Sequence, residues 1–158
     1  MQLICAYIWA MTQSSLTAIL HLFQAQARLE ERFSGALGGV HGLGLKEALL
    51  LMHLQQAPML RLTRVDLAKR LHISASTVTR MAVPLEKLGL VARQPDPRDA
   101  RLAYVVLTET GLAVVTDARA TFERLATEVF RDRWSEQDIG QFADLLARLN
   151  SNQIGALA

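Results

Sequence analysis

Five residues near the middle of the chain, Ser74, Ser76, Thr77, Thr79 and Arg80, place short hydroxyls and a guanidinium within one brief stretch. A second set, Arg93, Arg98, Asp99 and Arg101, occupies the charged half of "RQPDPRDARLAYVVLT", residues 93–108. Hydroxyls donate and accept hydrogen bonds, and a guanidinium offers a planar fork of donors. Such groups suit recognition of phosphate oxygens and base edges. The charge distribution agrees with this. From Arg61 to Arg101 there are nine Lys or Arg against four Asp or Glu, a local net charge of +5, while the whole chain carries only +2. A basic patch of this kind suits a phosphate-rich partner, although a solvated charged face has the same composition.

Other chemistry finds little support. The four histidines are His21, His41, His53 and His72. No two stand at a metal-ligand helical spacing, and none neighbours a paired carboxylate or Cys5. No glycine-rich phosphate loop follows a strand. The chain is therefore expected not to be an enzyme and to need no cofactor or metal. His72 reads as a turn residue and Tyr104 as hairpin packing. Cys5 is the one cysteine, which excludes an intrachain disulfide and fits a reducing, cytoplasmic compartment.

These residues need elements to hold them. A chain of 158 residues, 51% hydrophobic and 20% charged, has the composition of one globular domain. "MQLICAYIWAM" opens it as an apolar extension (1–13), too short to span a bilayer and without a basic leader region. Leu16, Leu20, Phe23 and Ala27 recur at helical steps, predicting a helix over 15–34 that Gly35 and Gly38-Gly39 end. Leu45 to Gln55 is a second helix, closed by Pro58. Thr63, with Asp66 three residues on, caps a short third helix whose apolar set is Val65, Leu67, Ala68 and Leu71.

Ser74 caps the next helix, and Gly89 sits where a terminating glycine belongs. Val78, Met81, Leu85 and Leu88 would form its buried face, with Ser76, Thr77, Thr79 and Arg80 on the other side. Pro84 within this helix removes a donor and crowds the Arg80 carbonyl, which predicts a kink there. Leu102 to Leu107 is a strand whose antiparallel mate is Val91 to Arg93. Thr108 caps a long helix from Glu109, and Ser135 caps a last one ending near Asn150. Two helices joined by a tight turn and followed by a β-hairpin make a winged helix-turn-helix, in a fold that is mainly α with a small β-hairpin wing. A helix with one apolar face and one face of short polar and basic groups can enter the major groove of B-DNA.

The run Asp66 to Gly111 resembles the MarR family of bacterial transcription regulators. The matching pieces are Asp66-Leu-Ala, Leu71-x-Ile73-Ser74, Val78-Thr-Arg80, Leu85-Glu-x-Leu-Gly-Leu90-Val, Arg93, and the wing signature Asp99-x-Arg101 leading to Val105-x-Leu107-Thr108-x-x-Gly111. The resemblance implies a homodimeric winged-helix repressor of double-stranded DNA with a palindromic operator. Its DNA-binding lobe would be about 45–108, its dimerisation helices about 15–34 and 109–150, and 151–158 a tail. By motif, Ser74, Ser76, Thr77, Thr79 and Arg80 would face the groove. Arg101 would reach the minor groove, Asp99 would hold the wing, and Arg98 would meet phosphate. Many members answer to phenolic or other small effectors bound between the dimer helices and the lobe. Two alternatives stand beside this reading. One is redox control through Cys5, disfavoured because no basic residue within ten positions lowers its pKa. The other is a winged-helix interaction module without DNA, disfavoured by the charged wing. No membrane partner is expected.

Overall fold

The computed structural model describes residues 2–96 and 103–151, with side chains described for 13–96 and 103–150. The elements in order are α1 (Gln2–His41), α2 (Leu45–Gln55), β1 (Arg61–Thr63), α3 (Arg64–Leu71), α4 (Ala75–Lys87), β2 (Val91–Pro95), β3 (Ala103–Leu107), α5 (Glu109–Phe130) and α6 (Glu136–Ser151). A 3-10 turn at Pro58–Leu60 leads into β1. The predicted mainly helical winged fold is the observed one.

The chain divides into two compact units at Phe122/Glu123. The first is built on a leucine-rich core in which Leu37, Leu50, Leu51, Leu54, Leu67, Val78 and Val115 are fully buried. Its sheet runs β1-β3-β2, all antiparallel, so β3 is central. Ala103, Val105 and Leu107 turn inward, and Leu62 of β1 pairs with Val105 on that same inner face. Phe33 of α1 packs against Phe122 with the rings tilted at 56° and 4.5 Å between centroids, and His41 Nε2 lies 2.9 Å from Thr121 Oγ1. In the second unit Phe130, Trp134 and Phe142 form an edge-on aromatic cluster with centroids 5.4 to 6.2 Å apart. The Ser135 and Asp138 side chains cap α6 reciprocally. Those bonds from Ser135 hold the Asp138 carboxyl below its ordinary pKa.

Three expectations are corrected. First, α1 does not end at Gly35 or Gly38-Gly39 but continues to His41. Each mid-helix glycine costs about 1 kcal/mol relative to alanine, yet Phe33 and Leu37 are buried in the core and hold the stretch helical. The terminating glycine is Gly42, at φ +65°, whose N–H donates to Gly38 O. The same helix also begins within the predicted extension, at Gln2.

Second, β3 has two mates, because Arg61–Thr63 pairs along its other edge. Three residues are too few to show a period, and only the long-range pairing makes them a strand. Third, Leu88 is exposed rather than buried, and Val65 of the α3 apolar set is exposed as well. Leu88 ends α4 as its C-cap, and the next buried side chain is Leu90, past the Gly89 turn. The helix α4 runs from Ala75 to Lys87 and includes Pro84.

Candidate nucleic-acid interface

The helix-turn-helix is made by local chemistry at each end of α3 and α4. Thr63 Oγ1 accepts the Asp66 N–H and so caps α3. The helix closes with His72 in the left-handed region at φ 52°. The His72 N–H donates to Lys69 O and the Ile73 N–H to Ala68 O, a full Schellman turn. Ser74 then caps α4 by accepting the Thr77 N–H at 3.2 Å. Gly89, at φ +70°, repeats the Schellman pattern at the far end: its N–H donates to Glu86 O, and the Leu90 N–H donates to Leu85 O. Val78 and Leu85 are buried, with Met81 and Ala82 packed against the core. The opposite face of α4 is thereby turned outward.

That face carries most of the predicted set. Ser74 and Ser76 are exposed, Thr77 is half-buried and Arg80 is exposed. Their side chains bond to one another: Ser74 Oγ lies 2.9 Å from Ser76 Oγ and 2.8 Å from Thr77 Oγ1, and Arg80 Nη2 donates to Thr77 Oγ1 at 3.3 Å. The cluster is pre-arranged by short polar links that a stronger acceptor can replace. Thr79 stands apart. Its hydroxyl donates back to Ala75 O and accepts from Arg64 Nη1 at 3.3 Å. Thr79 thus lines a cleft with Arg64, Val83, Glu86, Arg93 and Val105, between α4 and the sheet.

Arg93 pairs with Val105 and so lies on the inner sheet face, at the open end of that cleft. Arg98, Asp99 and Arg101 lie outside the described residues. Cys5 lies where side chains are not described. Two residues were not predicted for the site. Lys87 is exposed and follows Ser76, Arg80 and Val83 at steps of four, three and four along the outer face of α4. That spacing was the signal. Arg64, at the start of α3, enters through its bond to Thr79, which only the packing of α3 on α4 creates.

Thr108 and Gly111 join the wing to α5. Thr108 Oγ1 donates to Gly89 O and Leu90 O and accepts the Gly111 N–H at 2.9 Å. One hydroxyl therefore ties the end of the α4 turn, the start of β2 and the first turn of α5. On the outer sheet face, Tyr104 donates to Asp96 Oδ2 at 3.0 Å, and that bond, aided by burial, holds the phenol above its ordinary pKa.

Residues 43–102 match the MarR family model. Two curated relatives are similar in sequence. One is an uncharacterised HTH-type transcriptional regulator, YdgJ of Bacillus subtilis, 31% identical over 58% of this chain and 55% of its own length. The other is the transcriptional regulator AdcR of Streptococcus pyogenes, 33% identical over 61% of this chain and 63% of its own length. The chain thus spans less than two thirds of either relative. Among solved structures, a MarR family transcriptional regulator from Streptomyces coelicolor in complex with DNA aligns with a TM-score of 0.82, covering 90% of this chain and 89% of that one at 22% identity. Among the described residues no helix is long and apolar enough to cross a membrane. Residues 43–102 are similar to the MarR family, and the chain shares the winged-helix fold of a solved MarR family regulator.

Proposed function

We propose that this chain is a DNA-binding transcriptional regulator, acting as a homodimeric repressor on a palindromic operator and released by a small effector of phenolic or similar chemistry. The observation that carries this reading is the outward row of Ser76, Arg80 and Lys87 on a helix seated by the buried Val78 and Leu85. The Streptomyces relative with this fold was solved with DNA, which supports the same partner here. In this reading Ser76, Thr77 and Arg80 read the major groove. Ser74 holds the helix end toward it, and Thr79 sets the helix against Arg64. Arg93 and Arg98 meet phosphates, and Arg101 enters the minor groove with Asp99 holding the wing. Names of relatives and the residue set alike speak for recognition rather than catalysis.

Purified protein should retain DNA from upstream of its own gene at low salt and release it as salt rises. No retention at low salt would rule the reading out.

The dimer rests on α1. Leu16, Leu20 and Phe23 are 55%, 50% and 63% exposed in the single chain, a continuous apolar stripe that needs cover. Phe23→Asp would place an unpaired charge in that interface. It should weaken self-association by about a hundred-fold or more, read by sedimentation velocity. A variant that sediments as wild type at every concentration would remove α1 from the interface.

A further inference from the structure

The outer face of the sheet carries a polar cluster that the core does not require. Tyr104 sits on the central strand, opposite Gln94 of β2 on one side and Thr63 of β1 on the other. Arg61, from β1, reaches across the strand between them: its Nη1 donates to Gln94 Oε1 at 2.9 Å, and its guanidinium carbon lies 4.5 Å from the Tyr104 ring centroid. Beneath that cation, the Tyr104 hydroxyl donates to Asp96 Oδ2 at 3.0 Å. β1 and β2 share no backbone pairing, since β3 separates them. The side-chain link from Arg61 to Gln94 is therefore a second tie between the two outer strands.

The placement of the cluster is what gives it meaning. Asp96 is the first residue after β2, and Ala103, next to Tyr104, is the first of β3. The connection that bears Arg98, Asp99 and Arg101 leaves the sheet at one and returns at the other. The inner face already secures the strands through Leu62, Val91, Val105 and Leu107, all buried. A hydroxyl–carboxylate bond and an arginine lid on the solvent side add little to that core. They do fix the side chain and backbone from which the connection starts.

We infer that Arg61, Tyr104 and Asp96 form a brace that sets the exit of the wing for DNA, with Tyr104 as a positioning residue. The inference rests on the DNA-binding reading and names a part of it that the recognition helix does not contain. Tyr104→Phe is the sharpest probe, because it keeps the ring under Arg61 and removes only the hydroxyl.

The experiment measures the affinity of wild type, Tyr104→Phe, Arg101→Ala and the double variant for one duplex recovered from the source genome, with the thermal midpoint of each. Tyr104→Phe should weaken binding roughly five-fold, the net size of one ordinary hydrogen bond, and lower the midpoint by no more than about 4 °C. In the Arg101→Ala background the same substitution should have a smaller effect, because one of the wing contacts through which it acts is already gone. Equal affinity of Tyr104→Phe and wild type would overturn the brace and leave the DNA reading standing. So would an equal loss in both backgrounds. Wild-type protein that bound no duplex would overturn the DNA reading and the brace with it.

Discussion

Gly111→Ala should destabilise the protein by about 3 kcal/mol or more, in the range reserved for steric conflict with rigid backbone. A Cβ built at Gly111 would stand 1.9 Å from the Leu90 carbonyl oxygen and 2.9 Å from Leu107 Cδ1. The carbonyl cannot retreat cheaply. It accepts from the Thr108 N–H and the Thr108 hydroxyl, both at 3.1 Å, while the Leu90 N–H is committed to Leu85 O in the turn that closes α4. Relief would require pulling the first turn of α5 away from the start of β2, which would also break the Thr108 cap. Gly140 supplies the contrast. It lies in α6 with nothing within 4 Å of a built Cβ. Gly140→Ala should therefore stabilise by about 0.5–1 kcal/mol through helix propensity alone. Urea unfolding of the two variants beside wild type should show midpoints moving in opposite directions. A Gly111→Ala midpoint near that of wild type would contradict the packing described for Leu90, Thr108 and Gly111.

Arg101→Ala is expected to have the largest functional effect of the single wing substitutions. In the proposed function this side chain makes the minor-groove contact. Loss of one such contact costs about 1–3 kcal/mol, roughly five- to hundred-fold in affinity. It also removes one cation from the set that displaces counterions, so the slope of log K against log salt should flatten by about one. Self-association and the thermal midpoint should not change, since the apolar stripe of α1 and the leucine core are untouched. Titration of one duplex at three salt concentrations separates these effects. Equal affinity with an equal slope would take the wing out of the DNA contact.

Much of this architecture was legible because it is written locally. Thr63, Ser74, Thr108 and Ser135 each cap a helix through a bond three residues long, and Gly89 closes α4 at positive φ. Such signals need no knowledge of the rest of the chain. The errors lie where distant contacts decide. Buried Phe33 and Leu37 carry α1 through three glycines that would end a solitary helix. β1 exists because Leu62 meets Val105, far along the chain. Val65 and Leu88 have the right chemistry for a core, but the core is filled without them.

The site divides in the same way. The hydroxyls and Arg80 could be read from helical spacing. The commitment of Thr79 to Arg64 and the cluster of Arg61, Gln94, Asp96 and Tyr104 depend on α3 meeting α4 and on three strands coming into register.

In the proposed function an outward polar row on α4 and a basic hairpin together read duplex DNA. The most direct test of that reading is the salt dependence of binding to a duplex selected from the source genome, with a scrambled duplex of equal length beside it. Affinity should fall steeply with salt on both duplexes, with a preference of about a thousand-fold or more for the selected sequence. Binding that ignores salt, or equal affinity for the two duplexes, would contradict the reading.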